Sequence, residues 1–134
     1  MLPFKQMSLL VLISLGLLAS CGPQQMKKIR TAKQAVIGED VARLAECIGE
    51  PVSIRAAPDG TGQIYAYSSA QAHGEDGSLL GAPKPDDESS ANACVIEFNV
   101  VDGRILDVNV DNRAGWGGGS IKKCAGIVQR CAPQ

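Results

Sequence analysis

Residues 94–111 read CVIEFNVVDGRILDVNVD, two runs of alternating apolar and polar residues on either side of an Asp-Gly pair. Side chains on a strand point alternately to its two faces, so Cys94, Ile96 and Phe98 share one face while Glu97 and Asn99 share the other. Asp-Gly between two such runs is a hairpin signal. Parity selects the register. A two-residue turn at Asp102-Gly103 would set Phe98 opposite Asp107 and Val100 opposite Ile105, mixing charged and apolar partners along the pair. A three-residue loop of Val101, Asp102 and Gly103, with Gly103 left-handed, pairs Phe98 with Leu106, Ile96 with Val108 and Cys94 with Val110. One face is then wholly apolar, and Glu97, Asn99, Asp107 and Asn109 mark the other as the wet face of an antiparallel sheet.

Working outward, GQIYAYSS at 62–69 follows the turn signal Pro58-Asp59-Gly60 and alternates Ile64, Ala66 and Ser68 against Tyr65 and Tyr67, which predicts another strand. Upstream, GEDVARLAECIGEP at 38–51 places Val41, Leu44, Ala45 and Ile48 on one helical face, with Cys47 at its edge. Gly49 ends that helix and Pro51 prevents its restart. A weaker helix over 31–37, broken at Gly38, completes a helix hairpin. At the other end SIKKCAGIVQRCAPQ predicts a helix from a Ser120 cap, with Ile121, Cys124, Val128 and Cys131 on one side. The predicted fold is therefore α+β: a helix hairpin, then a three-stranded antiparallel meander sheet, then a C-terminal helix.

The chain of 134 residues contains five cysteines. Cys21 stands apart, in LLASCG at 17–22. Before it, Lys5 and an apolar run over about residues 7–18 have the make-up of a secretory signal, too short for a bilayer span. The residues Leu18-Ala19-Ser20-Cys21 resemble a bacterial lipobox, which implies cleavage before Cys21 and its triacylation. Gly22 after the cysteine, in place of the aspartate that usually retains such proteins at the inner membrane, implies the outer membrane, facing the periplasm. The expected organisation is a signal peptide over 1–20, a lipidated flexible tether over 21–30 and a single domain over 31–134. Lys27, Lys28, Arg30 and Lys33 would lie near phospholipid headgroups, where they act first as a solvated tether.

Four cysteines in an oxidising periplasm imply two disulfides. Cys124 and Cys131 would stand about 10.5 Å apart along a helix, beyond the roughly 7 Å that a bridge spans. Each must bond elsewhere. The third strand returns to the start of the second, where the last helix begins, so the topology predicts Cys94–Cys124 and Cys47–Cys131. Zinc is disfavoured, since no two cysteines have the close spacing of a zinc ribbon and the chain has one histidine, His73.

The order helix, helix, Gly49-Glu50-Pro51, a strand with Tyr65-Ala66-Tyr67, and a hairpin turning at Asp102-Gly103-Arg104 resembles the BamE/SmpA/OmlA type of periplasmic lipoprotein domain over about residues 31–111. The resemblance implies an αα-then-βββ fold that binds other proteins, in the best-known case as an accessory subunit of the machine inserting outer-membrane β-barrels. The chain departs from the pattern in its four internal cysteines, a polar insertion over 70–93 and the extra C-terminal helix.

No catalytic constellation assembles from the sequence, so no enzyme activity and no cofactor are expected. His73 sits in AQAHGEDGS with nothing to hold it against a nucleophile. Glu75, Asp76, Asp86, Asp87 and Glu88 lack the alternation of a calcium loop and predict a solvated acidic loop. GWGGGSIKK at 115–123 lacks Walker spacing. A net charge of −1 and few aromatics argue against nucleic acid. The remaining expectation is a binding or scaffold module tethered to the outer membrane, meeting a periplasmic or outer-membrane protein through Tyr65, Tyr67, Trp116 and the polar sheet face. The alternative is a lipid-anchored inhibitor of an envelope hydrolase of the lysozyme or protease type. Cys21→Ser is expected to abolish acylation and release the protein from the membrane fraction; retention of the variant there would overturn the lipobox assignment.

Overall fold

The structure, a computed structural model, describes residues 22–83, 92–112 and 120–133. Helix α1 (Gly22–Val36) and the short α2 (Ala42–Cys47) lead into β1 (Ser53–Ala56) and β2 (Gln63–Ser68). Strands β3 (Gln71–His73) and β4 (Leu79–Pro83) follow, then β5 (Cys94–Val101), β6 (Arg104–Asn112) and α3 (Ser120–Val128), with a closing 3-10 turn, Gln129–Cys131. The α+β class and the two disulfides stand. The three-stranded meander does not: a four-stranded antiparallel sheet runs β1-β2-β5-β6, and β3-β4 form a separate two-stranded sheet.

Each difference has a physical reason. All four residues of β1, Ser-Ile-Arg-Ala, are exposed, so no burial pattern marks it; its order comes from pairing with β2, Ser53 opposite Ala66 and Ala56 opposite Gln63. Part of the polar insertion is ordered as β3-β4 because one side chain organises it. Gln71 is fully buried, accepts from the Ser68 N–H at 2.8 Å, and donates to the carbonyls of Glu50 and Leu80 at 2.8 Å each. A buried amide satisfied on both ends stabilises where an unpaired one would cost about 1–3 kcal/mol. Helix α1 takes in residues 22–30, for which the sequence suggests a tether. Ile29, Ala32 and Val36 recur at helical spacing, and their stripe packs over Ile96, Phe98, Val108 and the end of α3. The C-terminal helix is shorter than expected, since its last turn tightens to 3-10 at Gln129.

The hairpin register also differs. Asp102 and Gly103 both have positive φ, 51° and 75°, which is a two-residue turn of the primed kind, and Val100 pairs with Ile105. The register then slips at Leu106, so that Asn99 meets Asp107, Phe98 meets Val108 and Ile96 meets Val110. One bulged residue restores the parity that a three-residue loop would provide. Phe98, Ile96, Val100 and Ile105 are buried, and Phe98 meets Tyr67 edge-on, ring centroids 5.7 Å apart.

Cys47 is bonded to Cys131 and Cys94 to Cys124, with Cα atoms 4.9 and 5.2 Å apart. The bridges join residues 84 and 30 apart in sequence, for which loop closure gives about 3.5 to 4.5 kcal/mol each.

Where α2 ends, Ile48 and Gly49 both donate to the Leu44 carbonyl. Gly49 has φ +124° and lies flat against Leu79, whose N–H donates to Ile48 at 2.8 Å while its carbonyl accepts from Glu50 at 2.9 Å. A Cβ on Gly49 would run into the Leu79 carbonyl oxygen, whereas one on Gly103 meets nothing within 4 Å. Gly49→Ala is therefore expected to cost about 2–3 kcal/mol and Gly103→Ala about 1 kcal/mol. Urea unfolding of the two variants checks this, and equal costs would mean that the backbone contact to Leu79 is not a constraint.

Candidate functional site

The helices cover one face of the four-stranded sheet, and among the described residues no helix packs on the other, the open face. Alternation on β5 and β6 sends Glu97, Asn99, Asp107 and Asn109 to that open face. From β2 it receives Ile64 and Ala66, opposite Asn99 and Glu97. Both are buried, at 6% and 4% exposure, although no described helix covers them. Arg55 on β1, opposite Ile64, reaches across β2 to Glu97, opposite Ala66, its Nη2 2.9 Å from both carboxylate oxygens. Such a partly exposed pair contributes at most about 1 kcal/mol to stability; its geometric effect is to close one end of the face.

At the other end lies a depression of about 530 Å³, bounded by the turn at 57–61 and floored by Ile64, Asn99, Leu106 and Asn109. Leu106, the bulged residue, is 56% exposed. The turn wall is rigid, because Asp59 Oδ1 accepts from the Thr61 N–H at 3.0 Å and from its hydroxyl at 2.7 Å. Those bonds, the hydroxyl first, hold the Asp59 carboxyl below its ordinary range. Lys33 reaches Asp107 from α1, with Nζ to Oδ1 at 3.4 Å. The arrangement is an apolar centre in a rim of carboxylates and amides, suited to contact with a protein surface.

The residues that the sequence nominates for partner contact lie elsewhere. Cys21 and Trp116 fall outside the described residues, as do Asp86, Asp87 and Glu88. Tyr65 and Tyr67 pair with Phe98 and Ile96, on the covered face. Tyr65 is half-buried, and Tyr67 is 1% exposed with its hydroxyl donating to the Gly49 carbonyl at 3.0 Å. Tyr67 is a core residue and cannot be offered to a partner. His73 is exposed at the end of β3, beside a cleft of about 220 Å³ that it shares with Ser69, Lys123 and Arg130. Asp76 Oδ1 accepts from the Ser78 hydroxyl and N–H, which hold its carboxyl low. Among the described residues no three His, Cys, Asp or Glu side chains stand where they could hold a metal ion.

Leu106 is the residue that periodicity misassigns, as the core partner of Phe98. Its signal is in the sequence: Ile105 and Leu106 are adjacent apolar residues in a strand that otherwise alternates, and two in succession cannot both face inward.

Burial pushes the Tyr67 hydroxyl well above its ordinary value, with the neighbouring Tyr65 a lesser cause. The folded state thus holds this proton more tightly than the unfolded chain. Its contribution is whole below about pH 10, the ordinary tyrosine value, and is lost as pH rises from there through the folded value. Urea midpoints measured across pH 9 to about 11.5 are expected to fall in the parent and to fall less in Tyr67→Phe. Parallel declines would show that Tyr67 does not carry the alkaline limb.

Comparison of the chain with protein-family models, with curated proteins and with solved structures finds no match.

Proposed function

We propose that the protein is a periplasmic lipoprotein anchored to the outer membrane at Cys21, whose domain binds another envelope protein through the open sheet face. The observation that carries this reading is Leu106: a large apolar side chain, 56% exposed, centred in a rim of Asp107, Asn109, Asn99 and Glu97 on a sheet face that no described helix covers. Burying such a centre contributes about 25 cal/mol per Å² removed from water, and the polar rim supplies orientation. The resemblance to the BamE/SmpA/OmlA type supports the same class of activity and suggests a component of the outer-membrane assembly machinery as the partner. The Arg55–Glu97 pair and the Asp59–Thr61 turn keep the face in one shape before contact, which lowers the ordering cost of binding.

A photoreactive residue in place of Leu106, expressed in the native envelope, is expected to give a discrete protein adduct, and the same residue in place of Arg43 on α2 is expected to give none. An adduct from both sites, or from neither, would overturn the open-face reading. A hydrolase as the adduct, with its activity lost in proportion to the protein added, would make the domain an inhibitor.

A further inference from the structure

The charge of this chain is nearly balanced as a whole and strongly divided in space. Residues 22–36 and 120–133 hold Lys27, Lys28, Arg30, Lys33, Lys122, Lys123 and Arg130 and no Asp or Glu, although the chain has 14 acidic residues against 13 basic ones. These two segments are α1 and α3 with its 3-10 turn, which pack on one another. A solvated helical surface ordinarily intersperses both signs, so a one-sign pair of helices in a near-neutral protein needs a separate account.

The cations are joined across the two segments. Arg130 shares a depression of about 350 Å³ with Lys28, Gln129 and Ala132, and also lines the 220 Å³ cleft with Lys123 and His73. Arg130 thus lines two hollows, one shared with Lys28 and the other with Lys123. Lys27, Arg30 and Lys122 are exposed on the same segments. Among the described residues Asp107 pairs with Lys33, and Arg130 helps to hold Asp76 ionised from the β3-β4 turn. Among the described residues Lys27, Lys28, Arg30, Lys122 and Lys123 form no ion pair.

We propose that this helical face lies against a bilayer containing anionic phospholipid, with headgroup phosphates seated in the hollows beside Arg130. Charge complementarity names the occupant, and α1 begins at the residue after Cys21, so a lipid there would hold the bilayer beside this face. The inference deepens the anchored reading, resting on it for proximity alone. Docking in this way points the open sheet face, on the far side of the sheet from the helices, away from the membrane.

The test uses the full chain incorporated into phosphatidylcholine vesicles with and without phosphatidylglycerol. Amine acetylation of each lysine is followed by mass spectrometry. Phosphatidylglycerol is expected to slow the labelling of Lys122 and Lys123 by about fivefold or more, a factor set by the attraction of single cations near an anionic surface, and high salt is expected to abolish the protection. Arg130→Glu, at an exposed position, is expected to remove it while both disulfides still form. Equal labelling on the two vesicle types overturns the proposal, as does protection that survives high salt. Failure to float with neutral vesicles would count against the Cys21 anchor alone, since docking would still appear as flotation with the anionic ones.

Discussion

The bridge from Cys47 to Cys131 is the constraint on which the architecture turns. The described apolar core is modest, and a domain of this size buries a smaller fraction of its surface than a large one. Helix α1 has an apolar stripe of only Ile29, Ala32 and Val36, too little to fold alone in water. It becomes a helix because α3 lies beside it, and α3 is held there at both ends, by Cys94–Cys124 near its start and by Cys47–Cys131 beyond its last turn. The same clamp fixes the end of α2, where Gly49 receives the Tyr67 hydroxyl and abuts Leu79. Sheet, helices and the β3-β4 excursion therefore meet around one covalent joint.

Legibility in the sequence followed the strength of the local physics. The hairpin around Asp102-Gly103 was readable because period-two alternation and a turn dipeptide coincide. The cysteine partners were readable because a seven-residue spacing on a helix excludes direct bonding and the returning strand sets Cys94 beside the start of the last helix. The bulge was not readable from parity applied to whole strands, since one extra residue satisfies the same parity with a different turn. Strand β1 has no buried face to leave a pattern, and β3-β4 depend on a single glutamine whose three partners are 3, 9 and 21 residues away. Such tertiary satisfaction of a polar group has no periodic signature.

The site was less legible than the fold, for a related reason. Aromatic residues are attractive as contact residues, yet Tyr67 is needed inside, where its ring packs on Phe98 and its hydroxyl satisfies a turn carbonyl. The exposed apolar residue is Leu106, displaced outward by the bulge that lets Ile105 and Val108 face in. The feature that makes the strand fit its core also places a leucine on its wet face.

The two bridges are nested in the chain, the outer closing 84 residues and the inner 30. Were the chain to enter an oxidising compartment from its N-terminal end, it would present Cys47 and Cys94 to an oxidant while Cys124 and Cys131 had yet to appear. Pairing in order of emergence would join the first two and strand the last two. The native pattern would then require either that oxidation wait for Cys131 or that an early bond be exchanged by thiolate attack. Topology alone therefore ties the native pairing either to the timing of oxidation relative to the appearance of Cys131 or to thiol–disulfide exchange.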